Sequence, residues 1–384
     1  MRVGIDARFV TSLPRRGIGT YSLNLIREIV GANPTIDFFL YARHQDLEAV
    51  LPMAPNVYVR QLPVPFYPLW EQVALPLAAY QDRLDILHCL GNTGPLITPG
   101  HARQVLSLMD VMFLQSGALV PKPVTLYQKL GRWYRAQVSP RCARNADAVI
   151  TISDFSKRDI VQLIPGLDPN RLTVTHLACE PSFADAGVAA VMDAQTPAGA
   201  RPEASFILCL GAEDPRKNTL RMVQAYLKLV RENGVGENLV VAGYKNWEGS
   251  LAHKEVLQAS ASDRVKFLSF VPMPELVGLY RGATLFAYPS LYEGFGIPIL
   301  EAFNAGCPVV ASGVTSIPEV GGDAALYVNP ERVDELAAAM LTVINEPSLR
   351  ESMIAKGRAR AAQFGWDRVA NQTMDVYRRC LANN

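Results

Sequence analysis

The feature that most constrains the fold of this chain is a series of short apolar runs, rich in β-branched residues, that alternate with helical stretches. Seven runs lie in the first half: RVGID, DFFLYA, VYVRQL, DILHCL, RQVLSLMD, DAVITIS and LTVTHLA. Six lie in the second half: SFILCLG, NLVVAG, VKFLSFV, TLFAYPS, CPVVAS and AALYVN. Short runs separated by helices are typical of parallel sheets built from βαβ units. The pattern therefore predicts an α/β protein.

The length and one change in composition predict two domains. A chain of 384 residues favours two domains over one. A segment rich in Ala, Pro and Gly separates the two groups of strands and predicts a linker over 184–203. We expect doubly wound, Rossmann-like domains over 1–183 and 204–364, and a final segment over 365–384. That segment places Val369, Thr373, Val376 and Leu381 roughly on one helix face.

Composition excludes several classes of protein. The net charge of +1 makes nucleic acid an unexpected partner, because there is no basic excess to neutralise phosphates. The six cysteines are scattered without metal-ligand spacing, which indicates reduced thiols in a cytoplasmic protein. The first residues, MRVGIDARFV, are too short and too charged for a signal peptide, and no run approaches the roughly 18 apolar residues of a membrane span.

The segment LYEGFGIPILEAFNAGCP, residues 291–308, carries the strongest functional pattern. Glu293 follows a predicted strand, whereas Glu301 lies in the next helix. Gly294 and Gly296 allow a ligand to approach the backbone, and a helix start favours anionic groups. Carboxylates accept hydrogen bonds from sugar hydroxyls. The layout suits a nucleotide sugar, and the alternative is a turn with two surface glutamates.

A second pattern, GAEDPRKNTL, begins at Gly211 directly after another predicted strand. Arg216 and Lys217 precede a helix, and paired cations at such a position suit a phosphate clamp. The alternative is a polar turn in which Asn218 caps the helix.

A third pattern, RRGIGTYSLNLI, follows the first strand. Ser22 stands where a dinucleotide fingerprint has its third glycine, which disfavours a nicotinamide dehydrogenase. We interpret Gly17, Gly19 and Tyr21 as parts of a loop that meets a phosphate or an acceptor.

Two further candidates lie at strand ends in the first half. His88 ends one strand and is predicted to face a cleft and contact a sugar hydroxyl, although a lone histidine is also commonly structural. Asp110 ends another strand and is a candidate for binding or orienting an acceptor.

The segment YQKLGRWYRAQVSPRCARNAD, residues 127–147, mixes aromatic and basic residues. This mixture suits an anionic membrane surface or a lipid-linked acceptor, and the alternative is a core-packing helix with a solvated basic face.

The segment from Glu293 to Glu301 resembles the E-x7-E motif of retaining glycosyltransferases of family four, which have the GT-B fold. The resemblance covers essentially the whole chain. It includes the Gly-Ile-Gly-Thr-Tyr loop, DPRKN, and the segments 147–160, 270–280 and 316–330. It implies two Rossmann-like domains facing across a cleft, with a C-terminal helix that crosses back to the first domain. The first domain would bind the acceptor and the second the nucleotide sugar.

The resemblance also implies roles for residues of the second domain. Glu301 would hold the ribose of the donor, and Val271 would meet its base. Glu293, with the amides of Gly294, Phe295 and Gly296, would address the transferred sugar and the diphosphate.

Arg216 and Lys217 would neutralise the charge of the leaving diphosphate. No cofactor is implied, and no metal either, because no DxD-like pair follows a strand. Two positions depart from the pattern of many relatives: Met109 precedes Asp110 where they have His, and Leu90 stands where some have the sugar-contacting His.

The sequence thus predicts transfer of a hexose from a nucleotide sugar to a polysaccharide or a polyprenyl-linked saccharide. Mannose from GDP-mannose is the favoured donor. The protein is expected in the cytoplasm, at most with peripheral contact to the inner face of the membrane. The alternatives are a GT-B nucleotide-sugar epimerase and a non-catalytic assembly subunit of the same fold.

Overall fold

The computed structural model describes residues 1–10, 17–43, 50, 54–98, 100–115, 125–183 and 205–382. The described residues divide into two compact units. Unit 1 contains residues up to 115, then 125–177 and 365–382, and unit 2 contains 178–183 and 205–364. The predicted linker over 184–203 lies outside the described residues.

Unit 1 is built on a seven-stranded sheet in which every neighbouring pair is parallel. Its strands are β1 Arg2–Asp6, β2 Asp37–Ala42, β3 Val57–Gln61, β4 Ile86–Cys89, β5 Arg103–Ser107, β6 Ala148–Thr151 and β7 Leu172–Val174. The order is β3-β2-β1-β4-β5-β6-β7, so the direction of strand addition reverses between β1 and β4. Its first five α-helices are α1 Ile18–Ala32, α2 Tyr67–Leu69, α3 Leu75–Gln81, α4 Leu126–Asn145 and α5 Asp154–Leu163.

Unit 2 repeats this plan with six parallel strands. They are β8 Phe206–Leu210, β9 Asn238–Ala242, β10 Val265–Leu268, β11 Leu285–Tyr288, β12 Val309–Ser312 and β13 Ala325–Val328. The order is β10-β9-β8-β11-β12-β13, with the reversal between β8 and β11. Its helices are α6 Thr219–Asn233, α7 Leu251–Gln258, α8 Met273–Gly282, α9 Ile297–Ala305, α10 Ile317–Gly321, α11 Val333–Asn345 and α12 Pro347–Ala361.

All thirteen apolar runs form strands, and most strand residues are buried. Strands covered on both faces need continuous apolar sequence, which explains why the runs are recognisable without alternation. The predicted α/β class with two Rossmann-like domains is confirmed.

The last helix, α13 Trp366–Ala382, belongs to unit 1 rather than to the unit that precedes it in sequence. Of the four residues on the predicted helix face, Val369, Thr373 and Val376 are buried, whereas Leu381 is partly exposed. The ring of Trp366 lies 6.3 Å from that of Tyr21 in α1. The chain therefore returns to unit 1 at its end, as predicted.

Residues 178–183 pack with unit 2, although the predicted first domain extends to 183. The Phe183 ring lies 5.8 Å from the ring of Tyr280, and the Asn304 amide donates a hydrogen bond to Cys179. These contacts explain why the change of unit precedes the proposed linker.

Candidate functional site

The point in a doubly wound sheet where strand order reverses is where open α/β proteins bind ligands. In unit 2 this point lies beyond the carboxyl ends of β8 and β11. The loop after β8 holds Arg216 and Lys217, and the loop after β11 holds Glu293. Two segments that are about 75 residues apart in sequence therefore meet at the sheet edge, joined by a hydrogen bond of 2.7 Å from the Leu291 amide to the Arg216 carbonyl.

The loop after β8 begins with a glycine that packing requires. A Cβ on Gly211 would lie 2.4 Å from Val241 Cγ1. The loop then forms one 3-10 turn over Pro215–Lys217, in which Asp214 accepts a hydrogen bond of 3.0 Å from the Arg216 amide. This turn holds the backbone that carries both cations.

Each predicted phosphate-binding cation is paired with a carboxylate. Lys217 Nζ lies 2.7 Å from Glu293 Oε1, and the side chains are 24% and 16% exposed. Arg216 contacts Asp214 through Nε at 3.0 Å and through Nη2 at 2.5 Å. Both pairs are partly desolvated but still reach solvent, so an incoming anion can compete with the carboxylates.

The loop that carries Glu293 is held by two hydroxyl residues of the segment after β12. The Ser316 hydroxyl lies 2.8 Å from the carbonyl oxygen of Glu293 and 2.7 Å from that of Phe295, and it shares its one proton between these two acceptors. The Thr315 hydroxyl accepts a hydrogen bond of 3.3 Å from the Glu293 amide. These contacts fix the backbone on either side of Gly294.

Gly296 is the residue from which helix α9 starts. Its φ of +119° is strained for any residue with a side chain, so a glycine is needed at this turn. Phe295 is buried and packs on Phe364 at 6.0 Å between ring centres. Gly294 is partly exposed, so of these three residues it is the one most open to a ligand.

Glu301 lies one turn inside α9 and is partly buried. Burial raises the pKa of its carboxyl group to about 7, while a hydrogen bond of 3.0 Å from the Tyr280 hydroxyl and the charge of Lys217 act in the lowering direction. Because the charge of Lys217 lowers the pKa of Glu301, this carboxyl group is electrostatically coupled to the Lys217–Glu293 pair. This carboxylate changes charge near neutral pH.

Val271 follows β10 at the same carboxyl edge of the sheet, two strands from β8, and is partly exposed. It therefore lies to one side of the charged residues. The predicted role with the donor base stays a prediction.

His88 lies in β4 and is fully buried. Its Nδ1 is 2.6 Å from the Tyr377 hydroxyl and its Nε2 is 2.8 Å from the Ser107 hydroxyl. Burial lowers the pKa of the imidazole to about 3. The expectation that this ring faces a cleft and contacts a sugar is contradicted, because both nitrogens are engaged inside unit 1.

Tyr21 belongs to the same buried group, with its hydroxyl 3.0 Å from that of Ser107. The Tyr21 hydroxyl is thus engaged inside unit 1, and the predicted role of its loop with a phosphate or an acceptor stays a prediction. Gly17 precedes α1, is exposed and has a φ of +49°, whereas Gly19 is buried within α1. Asp110 is partly exposed after β5 and accepts a hydrogen bond of 3.2 Å from the Met112 amide.

The sequence reasoning missed a buried charge cluster at the switch point of unit 1. Arg8 Nη2 lies 2.9 Å from Asp6 Oδ2 and 2.7 Å from Glu71 Oε2. Glu71 comes from a π-helical turn, Trp70–Ala74, and also accepts hydrogen bonds from Thr93 and Tyr67. The signal in the sequence was Asp-Ala-Arg, which begins at the last residue of the first strand.

The second half of the chain matches a known family. Residues 193–360 match the family model described as Glycosyl transferases group 1. This part of the chain therefore matches the kind of family that the sequence resemblance predicted.

Two curated relatives are similar over part of their length. An O-antigen chain mannosyltransferase B of Escherichia coli is 36% identical over 242 residues, 61% of this chain and 61% of the relative. An MMP alpha-(1->4)-mannosyltransferase of Mycolicibacterium hassiacum is 30% identical over 256 residues, 65% of this chain and 59% of the relative. The chain thus spans about three fifths of the length of the relatives it matches.

Solved structures resemble the whole chain at low identity. A sucrose-phosphate synthase from Thermosynechococcus elongatus has a TM-score of 0.74 at 18% identity, with all of both chains covered. WaaG, a glycosyltransferase involved in lipopolysaccharide biosynthesis, has a TM-score of 0.69 at 16% identity and covers 98% of this chain and 99% of its own. These similarities show the fold, which is the predicted GT-B architecture.

Proposed function

We propose that this protein is a retaining glycosyltransferase that transfers a hexose from a nucleotide sugar to a polysaccharide or a polyprenyl-linked saccharide. The observation that carries the proposal is the meeting of Lys217, Glu293 and Arg216 at the switch point of unit 2. Two cations suit a diphosphate, and two carboxylates suit the hydroxyls of the sugars on either side of it. The names of the two curated relatives favour mannose, and GDP-mannose is the donor we propose.

In the proposed mechanism Lys217 and Arg216 release their carboxylates and neutralise the charge that develops on the departing diphosphate. The released Glu293 then accepts hydrogen bonds from the transferred sugar, and Glu301 accepts them from the ribose. The reaction is proposed to be metal-independent, with the acceptor proton taken by the donor phosphate on the face where the bond breaks. The new bond forms on that same face, so the anomeric configuration is retained.

Thermal shift in the presence of GDP-mannose, UDP-glucose and the free nucleotides tests the donor proposal. A site near saturation raises the stability of the folded state by roughly 3 kcal/mol at a ligand concentration 100 times the dissociation constant. Failure of every nucleotide and nucleotide sugar to raise the melting temperature would contradict the proposal. Turnover of the donor without an acceptor would favour an epimerase, whereas donor binding without any turnover would favour a non-catalytic subunit.

We also propose that the first half of α4 contacts an anionic membrane surface, which brings the enzyme to a lipid-linked acceptor. The second half of α4 packs in the core of unit 1 through Val138, Cys142 and Ala143. The first half instead exposes Leu130 and Trp133, which are 57% and 63% accessible to solvent. Exposed apolar residues beside basic ones suit the interface of an anionic bilayer.

Exposed basic residues flank these apolar side chains, among them Lys129 and Arg135. Among the described residues, no helix is both long and apolar enough to cross a membrane. The contact that we propose is a peripheral one.

Sedimentation with phosphatidylglycerol vesicles, compared with phosphatidylcholine vesicles, tests this contact. Trp133→Ser should weaken binding to the anionic vesicles, while Leu257→Ser, at an exposed apolar residue of unit 2, should not. Equal binding of both variants would contradict the proposal.

A further inference from the structure

Asn218 is a buried polar residue with an uncommon backbone conformation in the candidate site. It directly follows Lys217, is 5% exposed, and has a φ of +55°. Asparagine adopts this left-handed conformation more readily than most residues, but glycine would adopt it at lower steric cost. The choice of asparagine therefore points to a function of the side chain.

The side-chain amide of Asn218 connects three loops that follow three different strands. Its Nδ2 donates hydrogen bonds to the carbonyl of Pro289 at 3.0 Å and to the carbonyl of Pro330 at 2.7 Å. Pro289 follows β11 and begins the loop that carries Glu293, whereas Pro330 follows β13. Both donors of the amide are used, and Oδ1 accepts a hydrogen bond of 3.0 Å from Arg221.

This arrangement differs from the helix cap that the sequence suggested as an alternative. Asn218 occupies the position before α6, yet its side chain makes no capping hydrogen bond to that helix. Instead it donates hydrogen bonds to two carbonyl groups that are distant in sequence. Without the Asn218 amide these carbonyl groups would lose a buried hydrogen-bond donor, which costs free energy. The side chain therefore contributes to the geometry of the site rather than to the start of the helix.

The hydrogen bonds of Asn218 join the loop that carries Lys217 to the loop that carries Glu293. Lys217 precedes Asn218, and Glu293 lies four residues after Pro289, so the amide joins the two loops whose side chains form the ion pair. The hydrogen bond from the Leu291 amide to the Arg216 carbonyl is a second connection between the same loops. Without the side chain of Asn218 only part of this connection remains.

We propose that Asn218 is a positioning residue that sets the separation between the cations of the loop after β8 and the loop of Glu293, and thereby determines the affinity for a nucleoside diphosphate. This inference rests on the proposed function, because the diphosphate is the group that both cations are proposed to bind. Asn218 itself need not touch the ligand.

The test compares Asn218→Gly with Asn238→Gly by calorimetry, using GDP, UDP, GMP and UMP as probes. Asn218→Gly keeps the backbone conformation but removes the amide. Asn238→Gly makes the same exchange at the first residue of β9, where the amino ends of the strands lie, away from the candidate site at their carboxyl ends. There Asn238 accepts a hydrogen bond of 2.8 Å from Arg264. The control thus reports the effect of a lost structural hydrogen bond in the same unit.

Asn218→Gly should lower the affinity for the diphosphates about tenfold, as expected for the loss of two hydrogen bonds, and change the affinity for the monophosphates less than about twofold. Asn238→Gly should leave the ratio of diphosphate to monophosphate affinity unchanged, even where it lowers the melting temperature. If Asn218→Gly does not fold, Asn218→Asp, which keeps the shape but replaces the two donors by an acceptor, is measured for the same ratio.

If the Asn218 variant has the same ratio of diphosphate to monophosphate affinity as the wild type, this inference is overturned and the proposed function stands. A wild-type protein that binds none of the four nucleotides would overturn the proposed function, and this inference with it. A parallel fall in the affinity for diphosphates and monophosphates would show a general structural role and would also overturn the inference.

Discussion

The two units have the same sheet plan but differ in what lies at the switch point. In unit 1 the space beyond β1 and β4 is filled by Asp6, Arg8 and Glu71, whose side chains are almost completely buried. In unit 2 the space beyond β8 and β11 is lined by Lys217 and Glu293, which keep part of their surface in solvent. The same topology thus supports a closed charge cluster in one unit and an accessible one in the other.

The difference shows that charge at a strand end does not by itself identify a ligand site. The guanidinium of Arg8 is enclosed by the rings of Tyr67 and Trp70 at 4.4 and 4.9 Å. Burial raises the pKa of Asp6 to about 6, although the charge of Arg8 acts in the opposite direction. A cluster enclosed in this way stabilises or organises unit 1, whereas the cluster of unit 2 is available for exchange with an anion.

Removal of Arg8 should have the largest effect on stability. Arg8→Met leaves two buried carboxylates without their cation and should lower the free energy of unfolding by about 3 to 5 kcal/mol. Arg60→Met is the control, because Arg60 is 48% exposed in its pair with Asp82 and such pairs contribute less than about 1 kcal/mol. Urea denaturation measures both, and equal losses would contradict the proposed difference between closed and exposed pairs.

Removal of Lys217 should have the largest effect on activity. Lys217→Ala should lower the rate of sugar transfer at least about a hundredfold, because a cation that neutralises developing charge acts mainly in the transition state. Glu293→Ala should have an effect of similar size, because it removes the proposed contact with the transferred sugar and the partner of Lys217. Circular dichroism should show an intact fold, since the pair is partly exposed. Lys266→Ala, at an exposed lysine of β10, should retain transfer. Transfer by Lys217→Ala at the rate of this control would refute the site assignment.

His88 should make unit 1 sensitive to acid. Its pKa of about 3 in the folded protein lies below the ordinary value of 6.5. The contribution of the neutral imidazole to the free energy of unfolding is therefore complete above pH 6.5 and declines as the pH falls towards 3. Between pH 7.5 and pH 5 the wild type should therefore lose roughly 2 kcal/mol relative to His88→Gln.

Denaturation at the two pH values measures this difference. His101→Gln, at a side chain that is 70% exposed, should keep the pH dependence of the wild type. Identical pH dependence in the wild type and His88→Gln would contradict the prediction.

Glu301 should give the smallest of these effects, as a pH dependence of donor affinity. Its pKa of about 7 means that it is mostly protonated at pH 6 and mostly ionised at pH 8. An ionised carboxylate is the better acceptor for the two ribose hydroxyls, so the affinity for GDP-mannose should rise up to about tenfold over this range. Calorimetry on Glu301→Gln should show a donor affinity that does not change with pH between 6 and 8. The exposed control Glu351→Gln should show the same pH dependence of donor affinity as the wild type.

Most of the fold was predictable because it depends on local and periodic features of the sequence. Each buried strand required a continuous apolar run, and each run was recognisable by itself. Gly296 and Gly211 mark positions where a backbone conformation or a close contact excludes a side chain. The charged residues of unit 2 were predictable since they lie in the loops that follow such strands.

His88 shows why the rest was not predictable. Its place at the end of a strand was read correctly, but its partners, Tyr377 and Ser107, come from α13 and β5. Whether a strand-end side chain faces solvent or the core depends on residues that are distant in sequence. Tyr377 lies 289 residues away, and no local pattern specifies that contact.

The sequence alone therefore determined the class of fold, the two sheets and the charged loops of the candidate site, whereas the return of the last helix was implied only by the family resemblance. Only the tertiary structure decided which charges are enclosed and which stay accessible, and that Asn218 joins three loops instead of capping a helix. The physical reason is that strand formation follows from short-range apolar pattern, whereas burial, pKa and hydrogen-bond partners follow from contacts between distant segments.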